Sequence, residues 1–310
     1  VAGHRLAPQP AFVLHQWDWS ETSLILDLFT RDQGRIAAVA KGAKRPYSQL
    51  RPVLMPFQRL LVATSRPKAA PGEAPADILT LRSAEYAGAG GALPPGRLMS
   101  GFYLNELLLR GLARGDPHEA LFDAYADAVQ ALAAAVDESP LRAFELLLLR
   151  ELGLLPDLAR CTTTQAALQP GAGYRLLPEA GLAPDDAEPA LPGRTWLALQ
   201  AALDRGGPQA ALDRGGPQAA LDRGGPQAAP ALRQACAGAL PALKAQLRAV
   251  LHYHLGTPPL RTRQMMLDLR RLIDTAAPVP ATAEPDDPVP AAPPAGHPAP
   301  TADPPHPSPP

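Results

Sequence analysis

The stretch Leu24-Ile25-Leu26-Asp27-Leu28-Phe29-Thr30-Arg31-Asp32-Gln33-Gly34-Arg35-Ile36-Ala37-Ala38-Val39-Ala40-Lys41 decides how the first part of this chain folds. Across Thr22–Phe29, Leu24, Leu26 and Leu28 share one face and Ile25, Asp27 and Phe29 the other, the period-two pattern of a strand. Arg31-Asp32-Gln33-Gly34 reads as a tight turn in which Gly34 is free to take a positive φ. Arg35–Lys41 returns as the next strand, with Ile36, Ala38 and Ala40 on one face and Ala37 and Val39 on the other. Phe12–Trp17 precedes this hairpin, and Phe57–Thr64 and Asp77–Ala84 follow it. Five short strands, with the longer connections after the third and fourth, predict a small closed Greek-key barrel of the OB type. Closure removes the edges that so short a sheet would otherwise present.

A Gly- and Pro-rich stretch, 88–96, separates this part from a helical one. Leu98, Phe102, Glu106 and Leu109 trace one helical stripe, which Leu104, Leu107, Leu108 and Leu112 widen. Asp116-Pro117 offers a cap and a first-position proline for a helix over His118–Val136. Ser139-Pro140 repeats the signal for Leu141–Leu152, stopped by Gly153. Further helices are expected over Ala231–Leu255 and about Thr262–Ile273. The predicted fold class is α+β: an OB-type barrel over 1–86, an all-α helical domain over 93–275, and a Pro/Ala-rich tail over 276–310. Within the helical domain, the nonapeptide Ala-Ala-Leu-Asp-Arg-Gly-Gly-Pro-Gln occurs three times in tandem between Ala201 and Gln227. Nine residues containing Gly-Gly-Pro are too few for a solenoid unit of about 20–50 residues. The segment reads as a tandem duplication in a tolerant loop, with a binding repeat as the alternative.

The chain's 25 Gly and 39 Pro are about a fifth of its 310 residues, against nearer ~12% on average. The Pro-rich tail has no Lys, Arg, Leu or aromatic residue with which to repay its ordering entropy, so disorder with polyproline character is expected there. Apolar runs such as Leu146–Leu149, fenced by Glu145, Arg150 and Glu151, fall far short of the ~20 residues that cross a bilayer. The start, Val1 to Pro10, lacks the apolar core of a signal peptide. Two cysteines, Cys161 and Cys236, cannot build a disulfide framework or a four-Cys zinc site. A soluble, cytoplasmic chain is the expectation. Its formal net charge of −1 conceals an asymmetry. Residues 1–68 hold ten Lys and Arg against four Asp and Glu, a net of +6, whereas the chain after Thr275 carries −4. A basic head fits a polyanionic partner, most often nucleic acid, although basic faces also serve only to solvate.

Sites for covalent or metal chemistry are not apparent. Gly42-Ala43-Lys44 lacks the spacing of a phosphate-binding loop, and Gly88-Ala89-Gly90-Gly91 is followed by Pro94-Pro95 where a dinucleotide-binding helix would have to begin. His118-Glu119 has Phe122 where a second zinc-binding histidine would stand. His252 and His254, two residues apart, fall on different helix faces. Asp185-Asp186 and Asp286-Asp287 lie in polar, Pro-rich chain with nothing to shift their pKa. The expectation is a protein that is not an enzyme and uses no cofactor. What stands out is the basic end of the third strand, Ala40-Lys41-Gly42-Ala43-Lys44-Arg45, with Arg31 and Arg35 flanking the preceding turn. Lys41, Lys44 and Arg45, together with Arg31 and Arg35, are candidate contacts lining one rim of the barrel. Trp17, Trp19, Tyr47 and Phe57 are candidate stacking platforms, Phe57 and Trp17 having barrel core as their competing role. Cations beside aromatic faces suit sequence-tolerant single-strand binding.

In these residues the chain resembles the bacterial recombination mediator family RecO. The barrel carries Ala11-Phe12-Val13-Leu14, Ser20-Glu21-Thr22-Ser23-Leu24, Gly34-Arg35-Ile36 and Ala40-Lys41-Gly42-Ala43-Lys44-Arg45. The helical part carries Tyr103-Leu104-Asn105-Glu106-Leu107, Phe144 to Gly153, and Leu251-His252-Tyr253-His254-Leu255-Gly256. The resemblance covers roughly 5–275, apart from the repeat. It implies an N-terminal OB domain and a helical C-terminal domain acting in the nucleoid. It also implies binding of single- and double-stranded DNA and annealing of complementary strands coated by single-strand-binding protein (SSB). Work with RecR to load RecA belongs to the same set of implications. Onto this sequence it places Lys41, Lys44 and Arg45, and less directly Arg31 and Arg35, as DNA-backbone contacts. Arg110, Arg114 and Arg142 are candidates for gripping the acidic, hydrophobic C-terminal tail of SSB, with plain surface solvation as the alternative. Some relatives carry a four-Cys zinc module after the helix ending near Gly153. Here Cys161-Thr162-Thr163-Thr164 has a Thr in place of the second Cys and the later pair is missing, so no metal is expected and packing must hold the segment to Gly193. A protein-binding scaffold that does not anneal DNA, and a nuclease lacking any visible carboxylate cluster, are the competing readings.

Overall fold

The computed structural model describes residues 4–67, 77–88, 92–205, 228–256 and 260–276. The expected repeat beyond Arg205 and the tail after Ala276 lie outside the described residues. Val1–Asp268 form one compact unit, and Leu269–Pro310 a second.

Six strands build the first sheet: β1 (His4–Arg5), β2 (Gln9–Asp18), β3 (Leu24–Thr30), β4 (Gly34–Ala40), β5 (Leu60–Arg66) and β6 (Ile78–Tyr86). Their order is β1-β5-β2-β3-β4-β6, and β5 also pairs with β6, which closes the sheet. All pairs are antiparallel except β4–β6, where Ala38 faces Leu79. The five expected strands are therefore present, with two-residue β1 added alongside β5. The β3–β4 hairpin has the register Leu24↔Ala40 to Thr30↔Gly34, and Gly34 sits at φ 66°. Inside, the small and branched side chains of Ala11, Val13, Leu26, Leu28, Ile36, Ala38, Leu60, Val62 and Leu79 form the barrel core.

The second face of β3 is also dry. Phe29 and Asp27 are fully buried, and Phe29, with Phe12 and Leu14 of β2, belongs to the core of the helical domain. That domain comprises α1 (Leu98–Gly111), α2 (Glu119–Ala134), α3 (Ser139–Glu151), α4 (Gly193–Asp204), α5 (Ala228–Ala237), α6 (Leu240–Leu255) and the start of α7 (Arg261–Ala276). The side chain of Glu106 on α1 supplies α7 with a cap: its carboxylate accepts the backbone N–H of Arg261 (2.8 Å) and of Thr262 (3.0 Å) and the Thr262 hydroxyl (2.7 Å).

Three expectations change. Asp116-Pro117 does not open α2, whose N-cap is His118 with no side-chain cap bond. The chain there is committed to the barrel: Gly115 N–H donates to the Arg35 carbonyl at 2.8 Å, Arg114 bridges Arg35 in parallel, and the Asp116 carbonyl lies directly over Gly34. Extended pairing excludes a helix start. The single helix expected over Ala231–Leu255 is two, because Pro241 in the first turn of α6 has no N–H to continue the ladder from α5. The domain is not purely helical either. A small sheet of β7 (Gly173–Leu177), β8 (Gly181–Pro184) and β9 (Leu191–Pro192), ordered β8-β7-β9, lies between α3 and α4. Leu158, Cys161, Leu168, Tyr174, Leu176, Leu182 and Trp196 hold this segment in the core. Thr162 fastens it further, its hydroxyl accepting the Leu182 N–H at 2.8 Å.

Candidate nucleic-acid interface

At the end of β4 the barrel core and the surface alternate within six residues. Ala40 is buried, Lys41 is exposed, Gly42 turns at φ 72°, Ala43 returns to the barrel core at 1% exposure, and Arg45 is exposed again. The turn is pinned by Lys44 N–H donating to the Thr22 carbonyl (3.0 Å) and Arg45 N–H to that of Gly42 (3.1 Å). The Lys44 ammonium reaches the Ser20 carbonyl (3.3 Å) and the exposed Asp18 carboxylate (3.1 Å), tying it to the tip of the β2–β3 hairpin. Among the described residues neither Lys41 nor Arg45 forms an ion pair. These cations keep their charge available to solvent.

Arg31 and Arg35 have a different environment. The Arg31 guanidinium lies 2.8 Å from Glu119 and 3.1 Å from Asp123 of α2, and the hydrogen bond and charge of Asp123 hold its pKa above the ordinary value. Arg35 makes a bidentate pair with Asp27 (2.9 and 3.0 Å) and donates to the carbonyls of Leu109 (2.6 Å) and Leu112 (3.1 Å) at the end of α1. Both therefore fasten the barrel to the helical domain and do not join the cluster at Lys41, Lys44 and Arg45.

Each of the three arginines considered for a peptide tail has a different acidic partner. Arg114 is half-exposed and pairs with Asp27 at 3.1 Å. Arg110 pairs with Glu106 one helical turn away. Arg142 is buried, its guanidinium 2.8 Å from Glu145, which also accepts the Tyr103 hydroxyl at 2.5 Å. Cys236 is buried too, and burial, aided by the Glu145 charge, pushes its thiol up to about 12, so it stays protonated at neutral pH.

Of the aromatic candidates, Tyr47 is the most exposed at 94%, followed by Trp19 at 61% and Trp17 at 42%. Trp17 leans edge-on against His15 rather than entering the barrel. Phe57 is buried, but outside the barrel core, packed on Phe102 of α1. Sequence reasoning missed Arg51, exposed on the long β4–β5 connection. It lines two concavities, one of about 500 Å³ with Tyr47 and one of about 350 Å³ with Lys44. A lone arginine in a Pro-interrupted loop carried no periodic signal that could have marked it.

Among the described residues no three His, Cys, Asp or Glu side chains gather as a metal-binding group, and no helix is long and apolar enough to cross a membrane. Comparison with known proteins supplies the family. Residues 6–69 match the family model described as "Recombination protein O N terminal" and residues 95–213 that described as "Recombination protein O C terminal". The chain is 51% identical over 278 residues to a DNA repair protein RecO of Verminephrobacter eiseniae, with 88% of this chain and 100% of that one covered. It is 50% identical over 284 residues to one of Variovorax paradoxus and 49% over 278 to one of a Polaromonas species, again covering 88% of this chain and 100% of each relative. With a closed barrel followed by the helical domain, and relatives matched along their whole length, the chain belongs to the RecO family of DNA repair proteins.

Proposed function

We propose that the protein is a recombination mediator that binds single- and double-stranded DNA through its barrel and anneals complementary strands coated by SSB. With RecR it promotes loading of RecA. The observation that carries this reading is the solvent-facing cluster of Lys41, Lys44 and Arg45, two of whose charges have no carboxylate partner among the described residues. Neutralising phosphates on two strands lowers their mutual repulsion, so pairing is accelerated without any bond being made or broken. No nucleotide, metal or other cofactor is called for. On the helical domain Arg114, the most exposed of Arg110, Arg114 and Arg142, is the proposed cation for the acidic SSB tail, with Arg110 four residues before it in the sequence. Arg142 is given over to Glu145.

The test is annealing of two labelled complementary oligonucleotides, each precoated with the cognate SSB, followed by energy transfer. Acceleration without nucleotide or metal is the expected result. Binding of naked DNA with no acceleration would leave a cationic module that does not mediate pairing, and no salt-dependent DNA binding at all would favour a protein-binding scaffold.

A further inference from the structure

The β4–β5 connection is anchored by three side chains and lifted away between them. Ala43, Leu54 and Phe57 are buried, whereas Tyr47 stands almost wholly in solvent and Arg51 is exposed. An aromatic ring left bare on a loop so firmly held at both ends has no packing role to explain it. The two concavities meet at Arg51. One, about 500 Å³, is formed by the loop itself with Tyr47 and Ser48 on its wall. The other, about 350 Å³, has Lys44, Leu24, Leu54 and Met55 around it. A cation thus sits between an aromatic-walled hollow and an apolar-floored one.

From this arrangement we infer that the Tyr47 and Lys44 hollows receive two unstacked bases of a single strand, with Arg51 holding the phosphate between them. The inference rests on the DNA-binding reading above and adds to it a strand preference. Bases within a duplex have their faces covered by their neighbours, so only an unpaired strand can offer a ring to Tyr47. Stacking is indifferent to base identity, because each base has a π-face, which suits a protein that must accept any sequence. Lys41 and Arg45 would then serve single strand and duplex alike, while Tyr47 serves the single strand alone. The Asp18 carboxylate beside Lys44 is exposed and can release the ammonium to an incoming phosphate.

The experiment uses the full chain with a 2-aminopurine-labelled single strand and the matching duplex, and the variants Tyr47→Ala, Tyr47→Phe and Arg51→Ala. Tyr47→Ala is expected to weaken single-strand binding by about tenfold, with duplex binding and the salt slope unchanged. Tyr47→Phe keeps a ring and restores near-parental affinity together with the quenching of 2-aminopurine. Arg51→Ala lowers the single-strand salt slope by about 0.7, the value of one phosphate contact. Unchanged single-strand affinity in Tyr47→Ala, or equal loss on single strand and duplex, would overturn the inference. Failure of the parent protein itself to bind DNA in a salt-dependent way would instead overturn the reading on which it rests, and the inference with it. Tyr47 makes so little contact with the rest of the fold that loss of folding is not an expected outcome, and an unchanged melting temperature verifies this.

Discussion

The barrel has two basic surfaces, and they differ in what surrounds the charge. Towards the helical domain, Arg31 and Arg35 meet Glu119, Asp123 and Asp27, with Phe12 and Phe29 packed on Phe122 and Tyr125 between them. At the end of β4, Lys41 and Arg45 meet no carboxylate among the described residues. The two groups of cations are a few residues apart in the chain. Position in sequence made them alike. Glu119 and Asp123 from the helical domain and Asp27 from the neighbouring strand occupy one group. In the other, only Lys44 has a carboxylate partner among the described residues, the exposed Asp18.

Four experiments break or sharpen this contrast, in falling order of effect. Phe122→Ala removes the ring on which Phe12 and Phe29 lean, and urea unfolding is expected to show a loss of about 3–5 kcal/mol. A loss under 1 kcal/mol would mean that the two domains barely rely on each other. Asp27→Ala leaves Arg35 partly buried beside Arg114 without their shared carboxylate, for an expected loss of about 3 kcal/mol with the DNA salt slope unaltered. A steeper slope in this variant would show that Arg35, once released, can reach phosphate.

Glu106→Gln tests the cap on α7 and is expected to cost about 1 kcal/mol at neutral pH, the scale of a lost helix cap. Burial works to raise the Glu106 pKa, but the hydrogen bonds from Thr262 and Arg261 and the charge of Arg110 outweigh it and hold the carboxyl below the ordinary value. A lowered folded pKa contributes stability that is present above the unfolded value, about 4.3, and is lost as pH falls through the folded one. The gap between parent and variant should therefore close on acidification below about pH 4. Lys41→Ala with Arg45→Ala should leave stability within about 0.5 kcal/mol. In the same variant the single-strand salt slope should fall by about 1.4, two contacts at 0.7 each. An unchanged slope would move the DNA surface elsewhere.

Much of the barrel was legible because each strand announces its own period. Leu24, Leu26 and Leu28 against Gly34 sufficed to place the hairpin, and closure of the sheet was expected from the fold type, whereas the parallel pairing of β4 with β6 is a finding of the structure. What the alternation could not say is that the opposite face of β3 is also covered: Asp27 among Ile25 and Phe29 looks like a solvent residue, and only Arg35 and Arg114 make its burial tolerable. Asp116-Pro117 misled for a related reason, since a good local cap lost to pairing with a strand eighty residues earlier. The small sheet β7–β9 was invisible because strands of two to five residues lack the length for a pattern. At the site, Lys41, Lys44 and Arg45 could be picked out by their density. Arg31 and Arg35 drew the same attention, yet their partners lie on α2 and within β3, contacts that only tertiary structure reveals.

The Asp116 carbonyl lying on Gly34 bears on how the molecule comes apart. Any side chain at position 34 would collide with that backbone, so turn and linker are fitted to each other as closely as residues within one core. A fragment cut after the barrel would bare Phe12, Leu14, Phe29 and the Asp27 carboxylate to water at once. The OB module here is thus not a detachable cassette. It should melt together with the helices in one cooperative step.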